Sequence, residues 1–313
     1  MDKRKLGRSG LEIAPLVLGG NVFGWTADEA TSFKLLDRFV ERGFNAIDTA
    51  DVYSAWAPGL SGGESETVMG KWLARRGRRD DVVIMTKVGS LQARKGLKAD
   101  NIAAAVEDSL RRLQTDYLDV YFAHIDDDSV PFEESLGAFS KLVDAGKVRA
   151  IGASNHSADR MREALKVSAD NGLKRYEVMQ PGYNLYDRAG YEDELAGLAQ
   201  EQELGVVSYF SLASGFLAGK YRSKADVEGT ARAAFLEGFF DERGMKLLGS
   251  LRKVADDVGA TPAQVSLAWL MTRPGVTAPI ASAPSLEQLD DILVATDVRL
   301  PQDALDALEK AGG

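Results

Sequence analysis

The sequence predicts an α/β fold, a single closed (β/α)8 TIM barrel with an N-terminal β-hairpin, spanning residues 1–313 as one domain. Three observations predict it. Eight short apolar runs alternate with helix-period segments along nearly the whole length. Several of these runs are rich in Val and Ile without polar alternation, as strands buried on both faces of a parallel sheet must be. No composition break or Pro/Ser-rich linker divides the chain, and barrels of this type use about 250 residues or more as one unit.

The elements follow in chain order. KLGRSGLEI reads as a hairpin turning at Ser9-Gly10, placed to close the bottom of the barrel. The strand runs are Leu16–Gly19, Asn45–Asp48, Val82–Lys87, Asp119–His124, Val148–Ser154, Glu177–Pro181, Gly205–Phe210 and Thr277–Ala281. Phe33, Leu36 and Val40 mark one helical stripe between them, and Leu136, Phe139 and Val143 another. The fullest stripe is Ile102, Ala105, Val106, Ser109, Leu110 and Leu113. Thr261-Pro262 sets a capping residue before a proline at a first helical position, opening a helix through Trp269. Ser211 to Gly238 carries no strand signal and is long enough to be a functional lid. The rival architecture is a doubly wound open sheet. Its first βα turn usually carries G-x-G-x-x-G, whereas Gly19–Gly24 reads GGNVFG.

Composition removes other classes of function. Lys+Arg 38 against Asp+Glu 47 gives a net charge of −9, which argues against sequence-independent nucleic-acid binding. Zero cysteines exclude disulfides, thiol nucleophiles and cysteine–metal sites. Two histidines, His124 and His156, leave little for a histidine-rich metal centre, and no metal is expected. No run approaches the roughly 20 apolar residues of a membrane helix. The opening MDKRKLGRSG lacks the apolar stretch of a signal peptide, so the expected location is the cytoplasm. GFLAGK at Gly215–Lys220 is one residue short of a Walker phosphate loop, and Tyr221 stands where Ser or Thr is needed.

In a barrel of this type, polar residues at the carboxyl ends of strands point into the mouth. Those ends supply Asp48, Lys87, His124, Ser154-Asn155 and Gln180, with Tyr53 five residues beyond Asp48. Ionisable groups at the ends of apolar strands are costly unless paired, so such a cluster points to function. A tyrosine of ordinary pKa, about 10, is a poor acid at neutrality. A neighbouring ammonium is expected to lower it, and an aspartate keeps that lysine charged. A histidine beside them donates to a substrate oxygen. The set suits protonation of a carbonyl oxygen while a hydride from a cofactor reaches its carbon.

Over essentially its full length the sequence resembles the aldo-keto reductase family. FNAIDTADVYS with GESE at Gly63–Glu66, then IMTKVG, resemble that family's Asp, Tyr and Lys segments. HIDDDSVPFEESLGAF resembles its His segment, and VRAIGASNH, MQPGYNLYDR and YFSLASGFLAGKY its cofactor-side blocks. Together these are highly specific. The resemblance implies a catalytic tetrad of Asp48, Tyr53, Lys87 and His124, with Tyr53 as general acid, and reversible hydride transfer between NAD(P)H and an aldehyde or ketone. It implies further that Ser154, Asn155 and Gln180 hold the carboxamide and Tyr209 stacks on the nicotinamide. Phe210, Ser211, Leu212, Gly215 and Lys220 embrace the pyrophosphate, and Gly20 and Asn21 lie near the ribose.

The sequence departs from the family's pattern in places. The usual Y-S-P-L is Tyr209-Phe210-Ser211-Leu212 here, without the proline. At the adenine end, Asp291 replaces Glu and Ile292 replaces Asn. A 2′-phosphate wants an ammonium or guanidinium, and neither Ser282 nor Gln288 supplies one. NADP(H) stays the family default, with NAD(H) a serious contender.

Two rival functions remain open. A cofactor-binding regulatory subunit with little turnover uses the same cofactor blocks. A Schiff-base aldolase on Lys87 needs a neutral amine, which Asp48 disfavours. Asp126, Asp127 and Asp128 read as capping the helix after Pro131, since three consecutive carboxylates cannot all face one ion. His156 reads as structural. Trp25, Trp56 and Phe235 to Phe240 suit a substrate pocket or core packing equally.

Overall fold

A computed structural model describes residues 2–221, 223–227 and 236–312. After a two-stranded antiparallel hairpin, β1 (Arg4–Lys5) and β2 (Glu12–Ile13), eight parallel strands close on themselves. They are β3 (Val17–Gly19), β4 (Ala46–Asp48), β5 (Val83–Val88), β6 (Leu118–Ala123), β7 (Val148–Ser154), β8 (Tyr176–Gln180), β9 (Gly205–Ser208) and β10 (Ala278–Ala281), with β10 pairing β3. Each matches one of the eight apolar runs. The open doubly wound sheet is overturned by this closure.

Helices cover the outside: α1 (Glu29–Glu41), α2 (Glu64–Arg76), α3 (Ala99–Leu113), α4 (Phe132–Asp144), α5 (Ala158–Asn171), α6 (Ala196–Glu201), α7 (Glu242–Val258), α8 (Pro262–Thr272), α9 (Leu286–Leu293) and α10 (Gln302–Gly312). All six stripe residues of α3 are buried. Thr261 and Gln264 form a reciprocal capping box at the start of α8, with Pro262 at the first turn.

Two expectations need correction. In α1 the buried face is Ser32, Leu35, Leu36 and Phe39, so Phe33 and Val40 lie on its flanks. Apolar residues at 33, 35, 36, 39 and 40 describe two overlapping stripes, and packing against the barrel selects one. The second correction concerns the carboxylates after β6, which do not cap α4. Pro131 occupies that N-cap, with no side chain accepting from the helix. Asp127 instead accepts from the Leu97 N–H (2.8 Å) and from Ser129, and Asp126 grips Arg160 through two bonds of 2.7 and 2.9 Å. The carboxylates therefore tie β6's exit loop to its neighbours.

The barrel interior and the site share one periodicity. Side chains of a strand alternate between its two faces. Val17, Ala46, Val83, Met85, Val120, Phe122, Val178, Val207, Ala278 and Ile280 point inward as one apolar cluster. Gly152 is the small member of this layer. A Cβ there would lie 2.5 Å from the Phe122 ring, so β7 yields its interior volume to that phenyl group. The hairpin contributes Leu6, Leu11 and Ile13 to the same cluster and so floors the barrel. Gly7 (φ +56°) brings the hairpin backbone so close that a Cβ would sit 2.3 Å from the Gly205 nitrogen.

Candidate active site

Continue each inward parity to the carboxyl end of its strand and the residue becomes small or polar. From the apolar inward positions, steps of two reach Gly19, Asp48, Lys87, His124, Ser154, Gln180, Tyr209 and Ser282. Parallel pairing sets these ends side by side, with Gly19 opposite Asp48 and Ser154 opposite Gln180. Short strands with one parity thus gather eight residues, far apart in sequence, at one mouth.

Asp48 is the hub. Its Oδ2 accepts from Lys87 Nζ (2.7 Å) and from the Tyr53 hydroxyl (2.8 Å), and its Oδ1 accepts from Gln180 Nε2 (2.8 Å). Lys87 Nζ also donates to the Tyr53 oxygen (2.8 Å) and to the Thr49 carbonyl (2.8 Å). Three acceptors surround the ammonium, and both Lys87 and Asp48 are buried. With three acceptors already engaging Nζ and Asp48 favouring the ammonium, the arrangement is unfavourable to the free amine that a Schiff base needs.

Charge in the cluster departs from the sequence expectation at one point. Burial, then Asp48, hold the Tyr53 phenol well above its ordinary range, where a neighbouring lysine led one to expect a fall. The phenol therefore keeps its proton at every physiological pH, as an acid must before it acts. Burial also lowers Lys87, and Asp48 opposes it. His124, ring to ring with Tyr53 at 6.3 Å, is pulled down to about 3 by burial and then by Lys87. It is a neutral imidazole. Its Nδ1 is buried without a partner, which leaves Nε2 as the nitrogen open to a ligand.

The expected cofactor residues fall into three groups. Ser154, Asn155, Gln180 and Tyr209 form one connected edge. Ser154 Oγ donates to the Gln180 carbonyl (2.9 Å), Asn155 Nδ2 to the His124 carbonyl (2.8 Å), and the Tyr209 hydroxyl to Asn155 Oδ1 (2.7 Å). Asn155 holds this place at φ +59°, a strained conformation for a residue with a side chain. A cavity of about 250 Å³ beside this edge runs outward between the barrel and its helices, where Ala153, His156, Met161, Met179 and Leu195 line it together with Asn155 and Tyr209.

The second group is the turn after β9. Phe210 (φ +55°), Ala213 (+46°), Ser214 (+57°) and Gly215 (+99°) all take left-handed backbone within six residues. Three of the four carry side chains, for which this backbone is costly. Phe210 is 57% exposed beside Tyr209, Ser211 Oγ donates to the Ser208 carbonyl, and Leu212 is partly buried. Lys220 is exposed, its Nζ 4.8 Å from the Tyr221 ring.

The third group is engaged elsewhere. Ser282 donates to Asn21 Oδ1 across the ends of β10 and β3, with Gly20 alongside. Asp291 accepts from Thr261 Oγ1 (3.2 Å) and Gln264 Nε2 (2.8 Å), bracing the start of α8. Gln288 gives only its backbone N–H, to the Ser285 cap of α9. Arg38 and Arg42, cations that reach α9, are both tied to Asp290.

Around the mouth, Trp25 and Trp56 meet edge to face at 5.6 Å, and Trp56 stands 5.9 Å from Tyr53 while 48% exposed. Half exposed, the Trp56 indole is not part of the core. Phe239 and Phe240 pack on Phe216 instead, and Phe235 lies outside the described residues. Of the expected lid, residues 222 and 228–235 lie outside them too, and the remainder forms short 3₁₀ turns at Ala213–Ala218, Lys224–Val227 and Glu237–Phe239. His156 is buried with Nδ1 2.8 Å from the Ser154 carbonyl. Residue reasoning passed over Asp51, Glu66 and Arg112 behind the tetrad. Asp51 and Glu66 were in view inside DTADVY and GESE, but their burial was not.

Residues 15–312 match the model of the Aldo/keto reductase family. The chain belongs to that family, whose members in general bind NAD(P)H and carry out oxidoreductase chemistry. It is 33% identical to the uncharacterized oxidoreductase YrpG of Bacillus subtilis, over 97% of this chain and 94% of that protein. It is 31% identical to protein tas of Escherichia coli, over 99% and 97%. It is also 33% identical to a probable voltage-gated potassium channel subunit beta of Arabidopsis thaliana, over 95% and 92%. No helix among the described residues is long and apolar enough to cross a membrane.

Proposed function

We propose that this protein reduces an aldehyde or ketone with NADP(H), reversibly toward the alcohol, with Tyr53 as the general acid. The observation that carries the reading is the Asp48–Lys87–Tyr53 cluster at the mouth, one phenol held by an ammonium at 2.8 Å and a carboxylate at 2.8 Å. The bound cofactor supplies a hydride and nothing else to the chemistry. Gln180, Ser154 and Asn155 suit its carboxamide, because their amide and hydroxyl groups both donate and accept, and Tyr209 offers the ring face beside them. The strained turn at Phe210–Gly215 with Lys220 suits its pyrophosphate.

Neutral His124 orients the substrate oxygen by donating from Nε2, without competing for the proton. Tyr53 then gives its proton to that oxygen as negative charge develops on it. Lys87, donating to the phenol oxygen, stabilises the phenolate that forms, and Asp48 keeps Lys87 charged. Trp25 and Trp56 shield the reacting carbonyl from water and favour substrates with an apolar body. At the adenine end, Ser282 and Gln288 place no cation, so NADH is the competing cofactor.

A fluorescence titration with NADPH and NADH side by side, followed by a carbonyl panel, tests the reading. Turnover with either cofactor that falls at least about a hundredfold in Tyr53→Phe, cofactor affinity being kept, supports it. Turnover within a few-fold of the parent in that variant removes Tyr53 as the acid. The relatives named as channel beta subunits favour one second reading, a nicotinamide-binding subunit that acts on a partner. Tight cofactor binding with no turnover across the panel selects it.

A further inference from the structure

Asp51 lies between Asp48 and Tyr53 in the same loop, and the chemistry above makes no use of it. Its side chain is buried, and neither carboxyl oxygen has a hydrogen-bond partner. The Val52 N–H faces it without completing a bond. The Asp51 backbone N–H donates to the Lys87 carbonyl of β5 (3.3 Å), and its carboxyl lies within electrostatic reach of Lys87, of Tyr121 on β6, of Glu66 on α2 and of Arg112 on α3. The charges among them are already matched. Lys87 holds Asp48 at 2.7 Å, and Arg112 holds Glu66 at 2.6 Å, with Thr86 Oγ1 donating to the other Glu66 oxygen. The Tyr121 hydroxyl is buried and unpartnered like Asp51 itself. An ionised Asp51 is therefore the odd charge of the cluster, with only the Val52 N–H turned toward it.

We propose that Asp51 is a positioning residue for the Tyr53–Lys87 pair, neutral while reduction is fastest, whose ionisation sets a second negative charge behind Lys87 and makes Tyr53 a weaker acid. The role toward Tyr53 rests on the reductase reading. Burial, then Glu66, push the Asp51 carboxyl up to about 7, against the opposing pull of Arg112 and Lys87. The proton is lost to solvent, and no bond to substrate or cofactor is involved.

The sign follows from linkage. The folded protein keeps a proton that the unfolded chain, with an ordinary aspartate at 3.8, has already lost. Asp51 thus costs no stability below that value, costs more as pH rises toward 7, and costs a constant amount above it.

Three measurements on the full chain decide the matter. Infrared difference spectra of parent against Asp51→Asn are expected to show a protonated-carboxyl band that titrates away across neutrality. Melting temperatures are expected to favour Asp51→Asn above neutrality, with the advantage vanishing toward the ordinary aspartate range. The kcat for reduction at saturating cofactor is expected to fall roughly threefold across neutrality in the parent and to stay level in Asp51→Asn. A missing band, or a melting difference indifferent to pH, overturns the protonation. An inflection that survives in Asp51→Asn overturns the coupling. If no carbonyl is turned over, the reductase reading alone fails. The coupling is then decided by the same band in Lys87→Met, where its midpoint should rise, and an unmoved midpoint overturns it.

Discussion

At the scale of single residues, the site is a problem in placing charge where strands end. An inward position deep in the barrel must be apolar, but the last inward position meets the mouth, where a charged group can find partners. Asp48 and Lys87 survive there because each satisfies the other: Nζ has three acceptors and the carboxylate three donors. Breaking such a buried pair leaves one charge uncompensated, at a cost of about 3–5 kcal/mol. Lys87→Met should therefore lower the denaturant midpoint markedly, while the double variant Lys87→Met with Asp48→Leu regains much of it. Urea melts of the three proteins check this, and additive losses would contradict it. His124 makes a second prediction at this scale. Because the imidazole stays neutral down to about pH 3, it contributes no inflection to the reduction rate between pH 5 and 8. A rate limb near its ordinary value that disappears in His124→Gln would show the ring to be charged instead.

At the scale of elements, the order of strands and helices was legible because period and punctuation agree. The α3 stripe and the Thr261-Pro262 start both appear in the structure as read. What eluded the sequence was choice among near-equal local options. Two overlapping apolar stripes in α1 look alike until a barrel packs against one, and three aspartates before Pro131 look like a cap until Leu97 and Arg160 are brought near. The cap at α8 is testable. Thr261→Ala removes an acceptor for the Gln264 N–H and should cost about 1 kcal/mol, while Thr261→Ser should cost far less. Thermal melts of both check it, and equal losses would point to the methyl group rather than the hydroxyl. Gly152 carries a second expectation for the barrel layer. Gly152→Ala should destabilise by about 1–3 kcal/mol through overpacking against Phe122, and Phe122→Leu in the same chain should relieve it.

At the scale of the whole molecule, the barrel has a wet end and a dry end. The dry end is the hairpin floor, where Leu6, Leu11 and Ile13 complete the interior cluster. Gly7→Val should lower the melting temperature with little change in the cofactor titration below it, since the floor and the mouth lie at opposite strand ends. Loss of cofactor affinity in the folded variant would instead show the two ends to be coupled. A larger depression, about 740 Å³, also lies at the dry end, lined by Arg79, Glu107, Tyr117 and Lys147. Its cations are committed, Arg79 to Asp119 and Lys147 to Glu107, so volume by itself does not locate chemistry.

The residue order by itself determined the class of fold, the eight strands and the four residues at the mouth, since buried parallel strands and strand-end polarity leave a direct imprint on composition and spacing. The tertiary structure alone decided how those residues are charged. A pKa depends on what burial removes and on which neighbour stands nearest, and neither is written in spacing. Thus Tyr53 rises where a nearby lysine suggested a fall, and Asp51 comes to lie buried within reach of the charges of Lys87, Glu66 and Arg112, which only barrel closure brings together.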